Sequence, residues 1–160
     1  MNWSMVSAVS AAFMALVILT TAILAVLQLR EVSRARKATA FADISQFLQR
    51  EEIRKARGIL IGIPKKDFKN WTNKEIEAAE KACHTYDVAG IMVFKKLIEP
   101  DLIAAEWRHS IIKCWEAAEP MITEYRKERG EDLWDAFELL YKQAKAIEMP
   151  NEHHGKNSNV

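Results

Sequence analysis

Across 160 residues the chain carries 23 Lys/Arg and 22 Asp/Glu, a formal charge of +1 with bases interleaved among acids. That arrangement excludes the clustered basic footprint that phosphate binding leaves, so nucleic acid is not an expected partner. Two cysteines, Cys83 and Cys114, are too few for a secreted disulfide scaffold and read as reduced core thiols.

The charges are unevenly placed, because none lies in residues 1–29. A helix over 3–29 is roughly 40 Å long at about 1.5 Å per residue, against a hydrocarbon core of about 30 Å, and so predicts a transmembrane helix. Its two interior threonines, Thr20 and Thr21, can return their hydroxyls to the preceding turn's carbonyls within lipid. A cleaved signal peptide is disfavoured, since Met1-Asn2-Trp3-Ser4 has no basic residue and the apolar run is too long. Beyond the span come Arg30, Arg34, Arg36 and Lys37, with only Glu31 opposing. This bias predicts the N-terminus outside and the rest of the chain on the cytoplasmic side of an inner (plasma) membrane. The same four residues would attract anionic headgroups, though orientation alone accounts for them. Ser7, Ala11, Ala15 and Ala22 form a small-residue stripe that would admit a second helix.

Between Arg30 and Glu148 there are only four glycines and three prolines, and the apolar residues recur every three or four positions. The expected fold class is therefore all-α, one transmembrane helix followed by a small cytoplasmic bundle of four or five helices. The expected division is a span at 3–29, a juxtamembrane helical extension at 30–48, a helical domain at 49–149 and a disordered tail at 150–160, which includes His153 and His154.

With no breaker after Leu29, the first helix should continue with Phe41, Ile44 and Leu48 on one stripe. Ile53, Ala56 and Leu60 then define a different face, which predicts a break near 47–50. Gly58, Gly62 and Pro64 should end the second helix, in a run that periodicity leaves as turn or strand. Thr72-Asn73-Lys74-Glu75 is a capping box and predicts a helix over 73–98, with Ile76, Ala79, Cys83, Gly90, Phe94 and Leu97 inward. Pro100 should open a helix over 100–118 and Pro120 should end it, opening another to Arg129 that Gly130 interrupts. The last helix, 131–148, is the cleanest amphipath, with Leu133, Phe137, Leu140, Ala144 and Ile147 aligned and Trp134 and Tyr141 beside them.

A carboxylate-bridged metal centre would need Glu-x-x-His pairs pointing inward from two helices. Only Glu106 and His109 have that spacing, and at about 100° per residue they fall opposite Ile103, Trp107, Ile111, Cys114 and Ala118. Glu80, His84 and Asp87 have neither the spacing nor the order. Cys83 and His84, as sequence neighbours on a helix, cannot pair with each other, and no phosphate loop or nucleophile motif is present. No catalytic residue, metal or cofactor is expected. Asp87, with Glu80 close by, falls near the centre of an apolar stripe, where a carboxylate must be paired, wetted or protonated. Arg57, Arg108 and Arg126 are its candidate ion-pair partners, and a polar ligand pocket is the alternative.

The order of parts resembles domain-of-unknown-function family 4760, a group of short, N-terminally anchored bacterial proteins. The residues carrying the resemblance are the apolar helix followed by Leu29-Arg30-Glu31 and Ala38-Thr39, residues 54–57, Tyr86-Asp87-Val88-Ala89-Gly90, and Pro100-Asp101-Leu102 leading to Trp107, Trp115, Pro120 and Arg126. It implies a bacterial, membrane-tethered helical domain and brings no catalytic residues. The expected function is an interaction or scaffolding module whose partners are the lipid bilayer and a protein or a second copy. The alternative is a small-ligand sensor or enzyme with an acid-centred pocket at Asp87.

Overall fold

A computed structural model describes residues 3–64 and 67–147; the tail expected at 150–160, with its two histidines, lies outside them. The described chain is helical throughout, with α1 Trp3–Gln49, α2 Glu51–Ile61, a short 3-10 turn Phe68–Asn70, α3 Asn73–Phe94, α4 Pro100–Glu106, α5 Arg108–Arg129 and α6 Asp135–Ala146. By contacts it forms two units, the first ending at Thr39 and the second beginning at Ala40.

The first unit is long and apolar enough to cross a membrane, and its apolar side chains, among them Phe13, Leu16, Ile18, Leu24 and Leu27, are exposed. Thr20 donates to the Leu16 and Val17 carbonyls at 3.0 and 2.9 Å, and Thr21 to Val17 at 2.7 Å. These return bonds leave neither threonine hydroxyl in need of a polar partner in lipid.

In the second unit Ile44, Leu48, Ile53, Ala56 and Leu60 are buried, and the change of stripe coincides with Arg50, a single extended residue between α1 and α2. Gly58 stays inside α2, which continues to Ile61, and the glycine–proline run forms a turn at Gly62. The Thr72 capping box opens α3: the Thr72 hydroxyl accepts from Glu75 N at 3.3 Å, and Glu75 Oε2 accepts from Thr72 N at 2.7 Å. Around α3 pack α2, α5 and α6, enclosing Ala79, Ala82, Cys83, Tyr86, Ala89, Ile111, Cys114, Trp115, Met121, Phe137 and Leu140.

Three helix boundaries differ from the sequence expectation. α3 ends at Phe94, four residues short of 98, because Lys96 adopts a left-handed conformation (φ 58°). Leu97 N bonds Met92 O at 3.0 Å and Lys96 N bonds Val93 O at 2.9 Å, the paired bonds that close a helix C-terminus. Phe94 and Leu97, expected inward, are consequently exposed. The helix expected over 100–118 is interrupted at Trp107 and then runs straight through Pro120 to Arg129. Pro120 lacks the N–H that would bond the Glu116 carbonyl, but both residues are exposed, so water can satisfy that group. α6 starts at Asp135 rather than 131, after a turn that places Trp134 at φ 60°.

α6 approaches α3 closely at Gly90, where a Cβ would sit 2.2 Å from the Ala136 carbonyl oxygen. Gly58 is the opposite case, exposed in a helix interior with nothing within 4 Å of its missing Cβ. Gly90→Ala should therefore cost about 3 kcal/mol or more by overpacking. Gly58→Ala should stabilise by about 0.5–1 kcal/mol through backbone entropy. Urea titration of the full chain in detergent, followed by tryptophan fluorescence, reads both; equal effects of the two variants would refute the close approach.

Candidate functional site

The polar groups picked out by the sequence gather around the ends of helices. α6 begins badly by itself: Trp134 at its N-cap is left-handed and offers no side-chain bond to the first-turn N–H groups. Asp87, half-buried on α3, supplies the missing acceptor, its Oδ1 taking the hydrogen bond of Phe137 N at 3.1 Å. One turn along α3, Gly90 leaves room for Ala136. One residue before Asp87, Tyr86 stacks on Phe137 with ring centres 5.1 Å apart. Tyr86, Asp87 and Gly90 thus form the seat for the start of α6.

Among the described residues Asp87 forms no ion pair with Arg57, Arg108 or Arg126; each of those guanidiniums instead reaches a backbone carbonyl. Arg57, 7% exposed, donates from Nη1 to Leu48 O in the last turn of α1 at 2.7 Å. Its guanidinium lies 4.9 Å from the Trp107 ring centre and 5.9 Å from that of Tyr86. The carbonyl and the two ring faces offset the cost of burying the charge. Arg108 Nε donates to Ala144 O in the last turn of α6 at 2.9 Å, a favourable place for a cation.

Arg126 binds the turn before α6 through Leu133 O at 3.0 Å. It also pairs with the first turn of α6, Nη1 to Glu138 at 2.7 Å and Nη2 to Asp135 at 3.2 Å. Glu138 is held below the ordinary carboxylate range by hydrogen bonds from Lys142 first and Arg126 second.

Glu80 lies away from this seat, 3.8 Å from Arg129, and lines an open cavity of about 410 Å³ with Phe47, Glu52, Ile53, Glu77, Lys81, His84 and Thr85. Asp87 does not line that cavity. A larger open groove of about 860 Å³ has Trp71, Pro64, Ile61, Pro120 and Tyr141 as its apolar walls and Asp67, Lys113, Glu116 and Glu119 among its polar residues. Neither cavity drew attention in the sequence, since each is assembled from helices far apart in the chain.

The reactive side chains are quiet. Burial pushes the Cys83 thiol well up and the Cys114 thiol to about 12, so both stay protonated at neutral pH. Glu106 and His109 are exposed, and among the described residues no three His, Cys, Asp or Glu side chains are placed to hold a metal ion. Arg30, Arg34 and Arg36 are exposed on α1, where Arg34 lies 3.9 Å from Glu31; Lys37 is half-buried.

The order of helices and the Tyr86–Gly90 seat lie within residues 15–144, which match the family model described as Domain of unknown function (DUF4760). The chain belongs to this family. No curated protein and no solved structure matches it. Nearly all the geometry described above, from the α1 carbonyl held by Arg57 to the Ala144 carbonyl held by Arg108, falls inside the DUF4760 match.

Two measurements test the seat. Asp87→Ala should destabilise the protein by about 1–2 kcal/mol, the worth of a lost N-terminal cap, and Asp87→Asn, which keeps the acceptor oxygen, should recover most of it. An Asn variant as unstable as the Ala variant would mean that the charge rather than the cap matters. Glu138 has a folded pKa below its unfolded value of about 4.3, so its contribution is present above that value and is lost as pH falls through the folded one. Thermal melts from about pH 5 to pH 3 should drop more steeply for the parent than for Glu138→Gln.

Proposed function

We propose that this DUF4760 chain is a single-pass, membrane-anchored helical module that presents an interaction surface at the cytoplasmic face of a bacterial plasma membrane. The observation that carries the reading is the first unit: its apolar residues, among them Phe13, Leu16, Ile18, Leu24 and Leu27, are exposed, so a bilayer is the phase that suits them. Arg30, Arg34, Arg36 and Lys37 support an orientation with the N-terminus outside, since basic residues flank only the far end of the apolar stretch. The engagement of Asp87 with the first turn of α6 supports a structural role for that carboxylate.

A protein partner fits the groove walled by Trp71, Pro64, Pro120 and Tyr141, because aromatic and proline side chains offer contact area with little entropy to lose. A reporter enzyme fused after Val160 should be active in the cytoplasm, and exported activity would overturn the orientation. In-cell crosslinking from a photoreactive residue at Glu119, on the groove, should yield a discrete adduct. Recovery of uncrosslinked monomer alone in native membranes would count against the interaction role.

A further inference from the structure

Outside α1, the large hydrophobic side chains exposed among the described residues are Ile61, Ile91, Phe94, Leu97, Leu102 and Leu139, and four of these six lie between 91 and 102. They occupy the end of α3, the turn after it and the start of α4. Phe94 is 66% exposed and Leu97 51%. The turn that carries them is well fixed: Val93 and Ile98 are buried on either side, and the backbone bonds from Lys96 to Val93 and Leu97 to Met92 close it. Left-handed Lys96 stands at its apex, next to Lys95, whose Nζ lies 5.7 Å from the Phe94 ring centre. Glu99 and Asp101 follow at the start of α4, where an N-terminal helix dipole favours acids.

We propose that the 91–102 turn is a second membrane contact, in which Phe94, Leu97, Ile91 and Leu102 dip into the interfacial layer of the bilayer while Lys95 and Lys96 extend to lipid phosphates. This rests on α1 being a membrane span. Two features favour lipid over a protein surface. With α1 in a bilayer, an apolar phase is present at high effective concentration. Phe and Leu flanked by paired lysines suit an apolar layer topped by anions, and long basic side chains reach the interface from beside an apolar patch.

The test uses the full chain reconstituted in phosphatidylcholine–phosphatidylglycerol vesicles with brominated acyl chains. A bimane label is attached through Lys96→Cys, with Glu128→Cys as the control. Position 128 neighbours Arg129, which reaches Glu80, about 20 Å along α3 from Phe94 at 1.5 Å per residue. The native thiols are buried and protonated, so labelling is selective. The position-96 label should be quenched by brominated lipid and the position-128 label should not. Adding Phe94→Ser and Leu97→Ser should return the position-96 signal to the control level while the protein still floats with the vesicles. A floating protein with no quenching at position 96 overturns the second contact and leaves the anchor standing, and so does efficient crosslinking between position-96 thiols of two copies, which would assign the patch to self-association. A protein that fails to float overturns the anchor and the second contact together.

Discussion

The approach of α6 to α3 at Gly90 is the constraint on which the rest of the second unit depends. A helix can come this close only where its partner has no Cβ, and the Ala136 carbonyl occupies the space that any other residue at 90 would need. Once the backbones meet there, Phe137 is delivered onto the Tyr86 ring and against Trp115, and Leu140 and Ala144 follow into the core. The hydrogen bond from Phe137 N to Asp87 fixes the register, because it can form only with the first turn of α6 directly over the seat. Apolar burial supplies the bulk of the driving force, and glycine, carboxylate and ring together select one arrangement from the many that an amphipathic helix could adopt.

Charged side chains from neighbouring helices finish helix ends, and Arg126 adds ion pairs to Asp135 and Glu138 as it does so. Arg57, Arg108 and Arg126 each reach a carbonyl at or beside a helix end, and Asp87 receives an N–H at one. Helix ends carry unsatisfied backbone groups, and short connections leave little chain with which to satisfy them locally. Long side chains from neighbouring helices do the work, which ties capping to tertiary packing. The end of α1 is thereby tied to α2 and to the α4–α5 junction: the Leu48 carbonyl is held by the Arg57 guanidinium, which rests on Trp107.

How much of this was legible in the sequence differs by feature. The helical class, the long apolar first helix, the family and the capping box at Thr72 follow from local pattern, and local hydrogen bonds and solvation suffice to decide them. Pro120 lies inside α5, where exposure at 116 and 120 lets water satisfy the freed carbonyl, and that exposure is a tertiary property. The end of α3 was misplaced because Lys, not Gly, takes the left-handed closing position, which composition does not mark. Asp87 was expected to pair with an arginine or face a ligand pocket, whereas its partner is a backbone N–H fifty residues away, and a main-chain donor leaves no trace in side-chain identity.

By itself, the sequence determined what each segment must do with water. The charge-free opening makes a helix long and apolar enough to cross a membrane, and the stripes around Cys83, Ile111 and Leu140 must turn toward one another. Which surfaces meet, and what the polar residues at their margins bind, was decided only by the folded chain. Hydrophobic burial is proportional to area and indifferent to direction, whereas a backbone approach that leaves no room for a Cβ at Gly90 and a bond from Phe137 to Asp87 are directional and exist only once both helices are in place.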